Sequence, residues 1–306
     1  MNNIIKIYGK PAPHKNIFQY SKSIWEFAKC KYDTFVLSHT HINRLGVTKE
    51  KRQQQIVVSL TSYPGRIGIV DKCIKTLLKQ TIKPDHVILV LAEEQFEQKE
   101  KELPARLLEL QQYGLEIIWS KDIRSYKKII PIYNKWKDHI IITVDDDNYY
   151  KRTWLERLYK SYMKNPTYIH CNIAKRFEFD TKGNLFWTQS SRIYYKNPTI
   201  LNSLVGCGGV LYPPNSLYED VIKDSLFMEI APTNDDLWLW AMSILKGTPT
   251  MVIDKPDIWS KVVEGTINSG LSYFNHGQGS PFINQLEAII NQYPRIVDLL
   301  KDEYAK

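Results

Sequence analysis

Three consecutive aspartates, Asp145, Asp146 and Asp147, are the side chains in this sequence best suited to hold a metal ion. They directly follow residues 140–144, an apolar, largely β-branched run that is typical of a strand buried on both faces. Carboxylates do not belong inside such a strand, so the triplet must lie where the strand leaves the sheet. Mg²⁺ and Mn²⁺ prefer carboxylate oxygens, and α/β sheets bind ligands at the carboxyl ends of their strands. The triplet predicts a metal site beside a nucleotide or phosphate pocket; the alternative is a solvated acidic turn.

A second acidic pair, Asp235 and Asp236, follows Thr233 and Asn234 at the start of a predicted helix, 234–245. Acidic residues in a first helical turn complement the helix dipole, which accounts for one carboxylate better than for two. A carboxylate anchored at the start of a buried helix is also well placed to act as a general base. We therefore predict that Asp236 or Asp235 is catalytic.

A third group of candidates, Thr61, Tyr63 and Arg66, follows the predicted strand 56–60. Hydroxyls, an aromatic ring and a guanidinium could hold the ribose, base and pyrophosphate of a nucleotide. This loop matches neither a Walker A nor a GxGxxG sequence, so neither a P-loop ATPase nor a Rossmann dehydrogenase is favoured. A Pro-Gly turn with a surface arginine is the alternative.

Four more candidates lie in predicted loops. Glu93 and Glu94 end the second strand, where a carboxylate could accept a hydrogen bond from a base or ribose. Lys128 lies just before the fourth strand and could reach a phosphate, and His276 could complete a metal shell or touch a diphosphate. Each also fits an ordinary surface: a solvated loop, a solvated lysine pair with Lys127, or a surface histidine.

Alternating strands and helices would position these side chains. The predicted strands cover 56–60, 87–91, 115–119, 140–144 and 168–174. The predicted helices cover 67–78, 104–113, 153–164, 234–245 and 283–300, the last interrupted near Pro294. Residues 175–202 are expected to form a hairpin or loops. Strand and helix in alternation imply an α/β fold with a mainly parallel sheet and right-handed crossovers.

Composition limits the partners and the compartment. The 306-residue chain has a formal net charge of +8, which favours anionic partners. Its basic residues are spread along the chain, so nucleic acid is not expected as a partner. No stretch approaches the roughly 18 apolar residues needed to span a bilayer, and residues 1–15 lack a signal-peptide core. We expect a cytoplasmic protein, with peripheral contact to an anionic membrane left open.

This ordered set of motifs resembles the GT-A-fold glycosyltransferases, and in detail the bacterial family-2-like transferases of surface polysaccharide assembly. The resemblance covers roughly residues 55–260. It rests on Asp145–Asp147 as the DxD motif, on the first strand as a nucleotide-binding strand, on the glycine-rich segment 206–209, and on Asp235-Asp236 as an ED-type motif. The departures are Glu93 and Glu94, where family-2 enzymes often show Asp, and the first 50 residues, which match nothing in the family.

The resemblance implies a Rossmann-like, mainly parallel sheet flanked by helices, and a division of the chain. Residues 1–52 would be an N-terminal extension and 53–260 the catalytic domain, with a nucleotide-binding half (53–150) and an acceptor-binding half (151–260). Residues 261–306 would form a C-terminal loop and helix packed on that domain.

The resemblance also implies a function: a metal-dependent, inverting glycosyltransferase that uses a nucleotide sugar, with UDP-sugars favoured, and a glycan or lipid-linked acceptor of lipopolysaccharide or capsule. Mn²⁺ or Mg²⁺ would bind Asp147 and Asp145, with His276 as a further ligand, and Asp236 or Asp235 would deprotonate the acceptor. Residues implied for the nucleotide are Thr61, Tyr63, Arg66, Glu93, Glu94, Lys128, Asp145 and Asp146. Trp187 and Trp238 are candidates for stacking on sugars, with a core position as the alternative for Trp238.

Two other classes of function remain open. A sugar-nucleotide nucleotidyltransferase shares the α/β plan and the need for metal, but a glycine-rich, basic signature near its start is not found here. A non-catalytic carbohydrate-binding protein on the same scaffold is the second alternative. Asp145, Asp147 and Asp236 argue against it, because a binding module needs no catalytic carboxylates.

Overall fold

The structure is a computed structural model that describes residues 6–10, 28–29, 31–188, 197–253, 275 and 281–306. Its centre is a seven-stranded sheet, in which β10 runs antiparallel to both of its neighbours and the other neighbouring strands are parallel. In spatial order the strands are β11 (Thr250–Val252), β6 (Ile169–Cys171), β10 (Val210–Tyr212), β5 (Ile140–Thr143), β2 (Ile56–Thr61), β3 (His86–Ala92) and β4 (Leu115–Ser120). The predicted α/β fold with a mainly parallel sheet is confirmed.

Two hydrophobic cores, one on each face of this sheet, explain why the central strands read as unbroken apolar runs. In β2, Val57 packs into one core, whereas Ile56 and Val58 pack into the other. In β5, Ile141 and Ile142 divide in the same way. Because successive side chains of a strand point to opposite faces, a strand covered on both sides is mostly apolar, with only small hydroxyl side chains such as Ser59 and Thr143 between the apolar ones.

Helices cover both faces of the sheet. They are α1 (31–38), α2 (Pro64–Ile67), α3 (Val70–Leu77), α4 (Ala105–Leu108), α5 (Ile130–Trp136), α6 (Trp154–Lys164), α7 (Asp224–Ile230), α8 (Asp235–Lys246), α9 (Pro281–Gln292) and α10 (Arg295–Tyr304). Helices α3 and α6 pack into one core, while α8, α9 and α10 pack into the other. The structure confirms the predicted break near Pro294, between α9 and α10. None of the helices in the described part of the chain is long and apolar enough to cross a membrane.

Three predicted elements differ in detail. The helix predicted from Pro104 is a single α-helical turn continued by a 3₁₀ helix, and it ends at Gly114, whose φ of 106° suits glycine. The strand predicted at 168–174 is divided between β6 and the next strand, β7 (Ala174–Phe179). Thr153 precedes α6 as expected, but its side chain makes no capping hydrogen bond.

A second, four-stranded sheet lies beside the first. Its order is β1 (Ile7–Lys10), β8 (Leu185–Thr188), β7 and β9 (Asn202–Leu204). The antiparallel pair of β7 and β8 fits the hairpin expected within 175–202. Strand β1, from the segment predicted to be an extension, pairs in parallel with β8. Part of the N-terminal segment therefore belongs to the folded body.

His170 in β6 gives the fold a defined response to pH. It is fully buried; its Nε2 lies 2.9 Å from the Asn165 carbonyl oxygen and its Nδ1 lies 3.0 Å from Ser161 Oγ. Burial lowers the pKa of His170 from 6.5 to about 4. Because this pKa is lower in the folded state, the stability that the neutral ring contributes is complete above about pH 6.5 and is lost as the pH falls towards 4.

We expect this loss to reach roughly 3 kcal/mol of unfolding free energy. The measurement is urea unfolding of wild type and His170→Gln at pH 7 and pH 4.5. The decrease between the two pH values should be smaller in the variant, which has no imidazole to protonate. Equal decreases in the two proteins would contradict the assignment.

Candidate active site

The acidic triplet lies at the carboxyl end of β5, as predicted. The backbone N–H of Asp145 donates to Tyr150 Oη at 3.1 Å, so the chain leaves the sheet directly after Val144. Cys73 of α3 donates its thiol to the Asp145 carbonyl oxygen at 3.4 Å. Thr61 and Ser62, at the end of the neighbouring strand β2, reach the same edge of the sheet.

Asp146 joins this edge to the β2 loop. The Asp146 carboxylate accepts from Ser62 Oγ at 2.6 Å and from Arg66 Nη1 at 2.8 Å, and it is almost fully buried. Burial raises the pKa of Asp146, and Arg66 and Ser62 oppose that rise. These contacts give the middle aspartate a structural role, because they fix the loop between β2 and α2 against the triplet.

Asp147 shares the same arginine. Its Oδ2 lies 3.0 Å from Arg66 Nη1, and its Oδ1 accepts from Asn148 Nδ2 at 2.9 Å. Burial and the nearby charge of Asp145 raise the pKa of Asp147 to about 7. One guanidinium therefore leaves negative charge uncompensated at the triplet.

Lys128 connects the triplet with the second acidic pair. Its Nζ lies 2.9 Å from Asp145 Oδ1, 2.8 Å from Asp235 Oδ2 and 3.8 Å from Asp236 Oδ1. Burial alone would lower the pKa of Lys128, but the three carboxylates raise it well above its ordinary value. The lysine thus stays charged. The sequence predicted two separate acidic sites, and the structure brings them to one ammonium group.

Asp236 is held at the start of α8. Asn234 caps this helix by accepting from the backbone N–H of Leu237 at 3.1 Å, and Asp236 Oδ2 accepts from the N–H of Gly206 at 2.8 Å. Burial raises the pKa of Asp236 to about 7, although Lys128 opposes the rise. The side chain of Asp236 is 29% exposed, against 8% for Asp235. Asp236 is therefore the less enclosed of the two side chains, although its Oδ1 atom is buried.

The glycine-rich segment 206–209 lies against both acidic groups. Tyr150 donates its hydroxyl to the Cys207 carbonyl oxygen at 3.2 Å, and Trp154 Nε1 donates to the Gly208 carbonyl oxygen at 2.8 Å. Tyr150 and Trp154 were missed by the sequence reasoning. In the sequence, only their nearness to the triplet points to a role at the site. The residues they bond to, Cys207 and Gly208, lie more than 50 positions further along the chain.

The other residues predicted to bind the nucleotide lie at or just after the ends of strands β2 and β3. Thr61 donates its hydroxyl to the Val90 carbonyl oxygen at 2.7 Å, and Arg66 lies over the ring of Tyr63 at 5.7 Å. Glu93 and Glu94 are exposed in a 3₁₀ helix after β3, where Glu93 pairs with a lysine. Their roles towards a nucleotide stay predictions. His276 lies outside the described residues.

The prediction that Trp187 stacks on a sugar is wrong, and for Trp238 the alternative, a core position, is confirmed. Trp238 is fully buried in α8 and donates Nε1 to the Val221 carbonyl oxygen at 3.1 Å. Trp187 is buried between Phe177 and Phe282. Both rings belong to the hydrophobic core.

The charges at the site fit a divalent cation. Within the ranges that the structure describes, two cationic side chains, Lys128 and Arg66, lie within 4 Å of five carboxylates: Asp145, Asp146, Asp147, Asp235 and Asp236. The buried Lys175 is a further cation that interacts with Asp236. Carboxylate oxygens are ligands that Mg²⁺ and Mn²⁺ prefer. Burial, reinforced by the charge of Asp145, raises the pKa of Asp147, and a bound cation would favour its ionised form. Among the described residues, however, no three His, Cys, Asp or Glu side chains form a ready-made metal shell.

No protein-family model and no curated protein matches this chain. Solved structures with a similar fold include residues 1–349 of TarS from S. aureus, at 13% identity and a TM-score of 0.45 over 67% of this chain. A second is the mannosyltransferase PcManGT from Pyrobaculum calidifontis in complex with GDP-Man and Mn²⁺, at 9% identity and a TM-score of 0.46, covering 94% of this chain and 84% of that one.

A third similar structure is CMP:2-keto-3-deoxy-manno-octonic acid synthetase complexed with CTP. It has 13% identity and a TM-score of 0.38, covering 65% of this chain and 88% of that one. The chain spans 59% of the TarS structure. Similarity at this level concerns the fold alone, and the reaction has to be inferred from the residues of the site.

Proposed function

We propose that this protein is a metal-dependent glycosyltransferase that moves a sugar from a nucleotide-sugar donor to a hydroxyl of a glycan acceptor. The observation that carries the proposal is the contact of Lys128 with both Asp145 and Asp235. It places a carboxylate triplet suited to a metal and a diphosphate beside a second carboxylate pair suited to a base. Sugar transfer from a diphosphate donor requires the metal-binding carboxylates and the catalytic base in the same active site.

Asp236 is the proposed base. In the reaction the acceptor hydroxyl attacks the anomeric carbon, and its proton passes to the Asp236 carboxylate. The new bond joins the acceptor oxygen to that carbon, while the bond from the carbon to the donor phosphate breaks and releases a nucleoside diphosphate. A single displacement of this kind inverts the anomeric centre. A pKa of about 7 suits a base working near neutral pH.

Asp235 is less suited to that role. Its Oδ2 lies 2.8 Å from Lys128 Nζ, and its side chain is 8% exposed. The Lys128 ammonium thus occupies one oxygen of the Asp235 carboxylate, and the low exposure leaves little room for an acceptor hydroxyl beside it. We therefore assign proton transfer to Asp236 and positioning of Lys128 to Asp235.

Asp145 and Asp147 would hold Mn²⁺ or Mg²⁺, with His276 as a proposed further ligand. Bound there, the metal would neutralise the donor diphosphate and make it a better leaving group. The proposed nucleotide contacts come from Thr61, Tyr63, Arg66, Glu93 and Glu94. Arg66 keeps Asp146 as a partner at 2.8 Å, so the β2 loop stays fixed while a ligand binds beside it.

The finer proposal concerns the substrates. UDP-sugars are the proposed donors, and the proposed acceptors are glycans or lipid-linked glycans of lipopolysaccharide or capsule. The net charge of +8 suits an anionic, lipid-linked acceptor and peripheral contact with an anionic membrane surface.

The experiment is a thermal-shift screen of nucleotide sugars with and without Mn²⁺, followed by product analysis. A rise in melting temperature that needs both a UDP- or GDP-sugar and the metal supports the proposal, as does release of a nucleoside diphosphate when an acceptor is added. Release of pyrophosphate from a nucleoside triphosphate and a free sugar would instead identify a nucleotidyltransferase. No response to any nucleotide sugar would contradict the proposal.

Gly206→Ala is expected to inactivate the enzyme without unfolding it. A Cβ at this position would lie 2.6 Å from Asp236 Oδ1 and 3.0 Å from Lys128 Nζ, so both groups must move. A displacement of this size is expected to lower kcat by roughly 100-fold. Steady-state kinetics and circular dichroism of the variant measure the two effects.

Gly68→Ala is the matched control, because a Cβ there would meet no atom closer than Arg106 Nη2 at 3.9 Å. It should keep the wild-type kcat. Wild-type activity in Gly206→Ala would show that contact between the glycine-rich segment and Asp236 is not needed for the reaction.

A further inference from the structure

A buried polar network lies directly before the acidic pair of α8. It consists of Thr233, Asn275 and Gln285, and all three side chains are buried. Thr233 Oγ1 donates to Asn275 Oδ1 at 2.8 Å, and Gln285 Nε2 lies 3.0 Å from Thr233 Oγ1 and 3.1 Å from Asn275 Oδ1. Gln285 belongs to α9, so the network ties α9 to the segment that enters α8.

Both backbone groups of Thr233 are held by this network. Its N–H donates to Gln285 Oε1 at 3.0 Å, and its carbonyl oxygen accepts from Asn275 Nδ2 at 2.8 Å. Asn234, which caps α8, follows immediately, and Asp235 and Asp236 come next. Since peptide units are planar and rigid, fixing both groups of Thr233 fixes the path by which the chain delivers the two carboxylates.

The same loop is also held from the opposite side. Tyr126 donates its hydroxyl to the Ala231 carbonyl oxygen at 2.7 Å, and Tyr126 lies two residues before Lys128. The segment 231–234 is therefore fixed both to the 3₁₀ helix Arg124–Lys128 and to α9.

We propose that Gln285 is a positioning residue: through Thr233 it sets the place of Asp236 relative to Lys128 and Gly206. This inference rests on the proposed glycosyl transfer with Asp236 as base. Gln285 lies behind Thr233, on a helix that does not contribute to the carboxylate cluster. It would act on the rate of transfer and not on the affinity for the donor.

The first test is Gln285→Met, which keeps the length of the side chain and removes its hydrogen bonds. We expect kcat to fall by about 10- to 100-fold while KM for the donor stays within about twofold. Leu286→Ala is the matched control: Leu286 neighbours Gln285 on α9 and is buried in the core, so its loss destabilises the same helix without touching Thr233. At a temperature where both variants are folded, the control should keep the wild-type kcat.

The second test separates positioning from general stability by a double-mutant cycle. If Gln285 acts through Asp236, then Gln285→Met in an Asp236→Asn background should lower the residual kcat by less than twofold. Asn275→Ala, which frees the Thr233 carbonyl from the other side, should behave as Gln285→Met does and serves if that variant does not fold. Equal fold-losses in the two backgrounds, or an unchanged kcat in Gln285→Met, would overturn the inference.

The positioning role and the glycosyl transfer are tested separately. Wild-type transfer with a normal kcat in Gln285→Met overturns the positioning role and leaves the glycosyltransferase proposal standing. A wild-type protein that transfers no sugar from any nucleotide sugar overturns both. Amide hydrogen exchange gives a readout without turnover: protection across residues 231–236 should fall in Gln285→Met and not in Leu286→Ala.

Discussion

Asp236→Asn is expected to lower kcat by roughly 10²- to 10⁴-fold, the usual contribution of a general base. The amide keeps nearly the same shape and can still accept from the N–H of Gly206, which now lies 2.8 Å from Asp236 Oδ2. It cannot take the proton of an acceptor hydroxyl. Binding of the donor should change little, because the proposed donor contacts lie at the ends of β2, β3 and β5 and not on α8.

The pH–rate profile tests whether Asp236 acts in its deprotonated form, as a base must. A base works when deprotonated, so wild-type kcat/KM should rise with pH up to about 7, the pKa of Asp236, and then level off. This rising limb should be absent from the residual activity of Asp236→Asn when rates are measured at saturating Mn²⁺, which would keep Asp147 ionised. The measurement is initial rates of nucleoside diphosphate release between pH 5.5 and 8.5.

Asp235→Asn distinguishes the two neighbours. This substitution removes the carboxylate that lies 2.8 Å from Lys128 Nζ, so it disturbs the lysine and lowers activity, but it leaves the base in place. The rising limb should therefore survive in Asp235→Asn. If the limb disappears in Asp235→Asn and persists in Asp236→Asn, the two roles are reversed.

The parts of the fold that the sequence predicted correctly are those with a local signal. Residues 56–60 and 140–144 are runs in which every side chain is apolar or small, because both faces of β2 and β5 are covered. Such runs predict buried strands regardless of which other strands pair with them in the sheet. The position of the triplet follows from the same signal, since the carboxylates mark the point where burial ends.

The parts that were missed depend on pairing between distant segments. The three residues of β10 do not show that it runs antiparallel between β5 and β6; that direction follows from the hydrogen bonds to both neighbours. Trp187 lies in a polar, aromatic segment, and the sequence therefore predicts that it stacks on a sugar. The pairing of β7 with β8 instead packs its ring against Phe177. Lys128 resembles one of a solvated pair, and its three carboxylate partners come from two other elements.

Asp147→Ala is expected to abolish the metal-dependent part of donor binding. The side chain offers carboxylate oxygens at the end of β5, and burial together with the charge of Asp145 raises its pKa although Arg66 Nη1 lies 3.0 Å away. With Mn²⁺ and a nucleotide sugar at about 100 times its Kd, the wild type should gain about 2.7 kcal/mol of stability from binding. The variant should gain only what the nucleotide contributes without the metal.

The protein free of ligand should respond in the opposite direction. A buried carboxylate with a raised pKa favours its neutral form, so the charge of Asp147 at pH 8 opposes folding. Removing it should leave the melting temperature of the ligand-free protein unchanged or higher. Loss of ligand response together with retained stability is the pattern of a binding residue, because removal of a structural residue lowers both.

Asp138→Ala supplies the control for this comparison, since Asp138 is an exposed aspartate bonded to Asn215 at 2.8 Å. It should keep the full response to Mn²⁺ and donor in the same thermal-shift assay. A full metal-dependent shift in Asp147→Ala would remove Asp147 from the metal site. The metal would then have to be held by Asp145 and the α8 pair, the carboxylates that share Lys128.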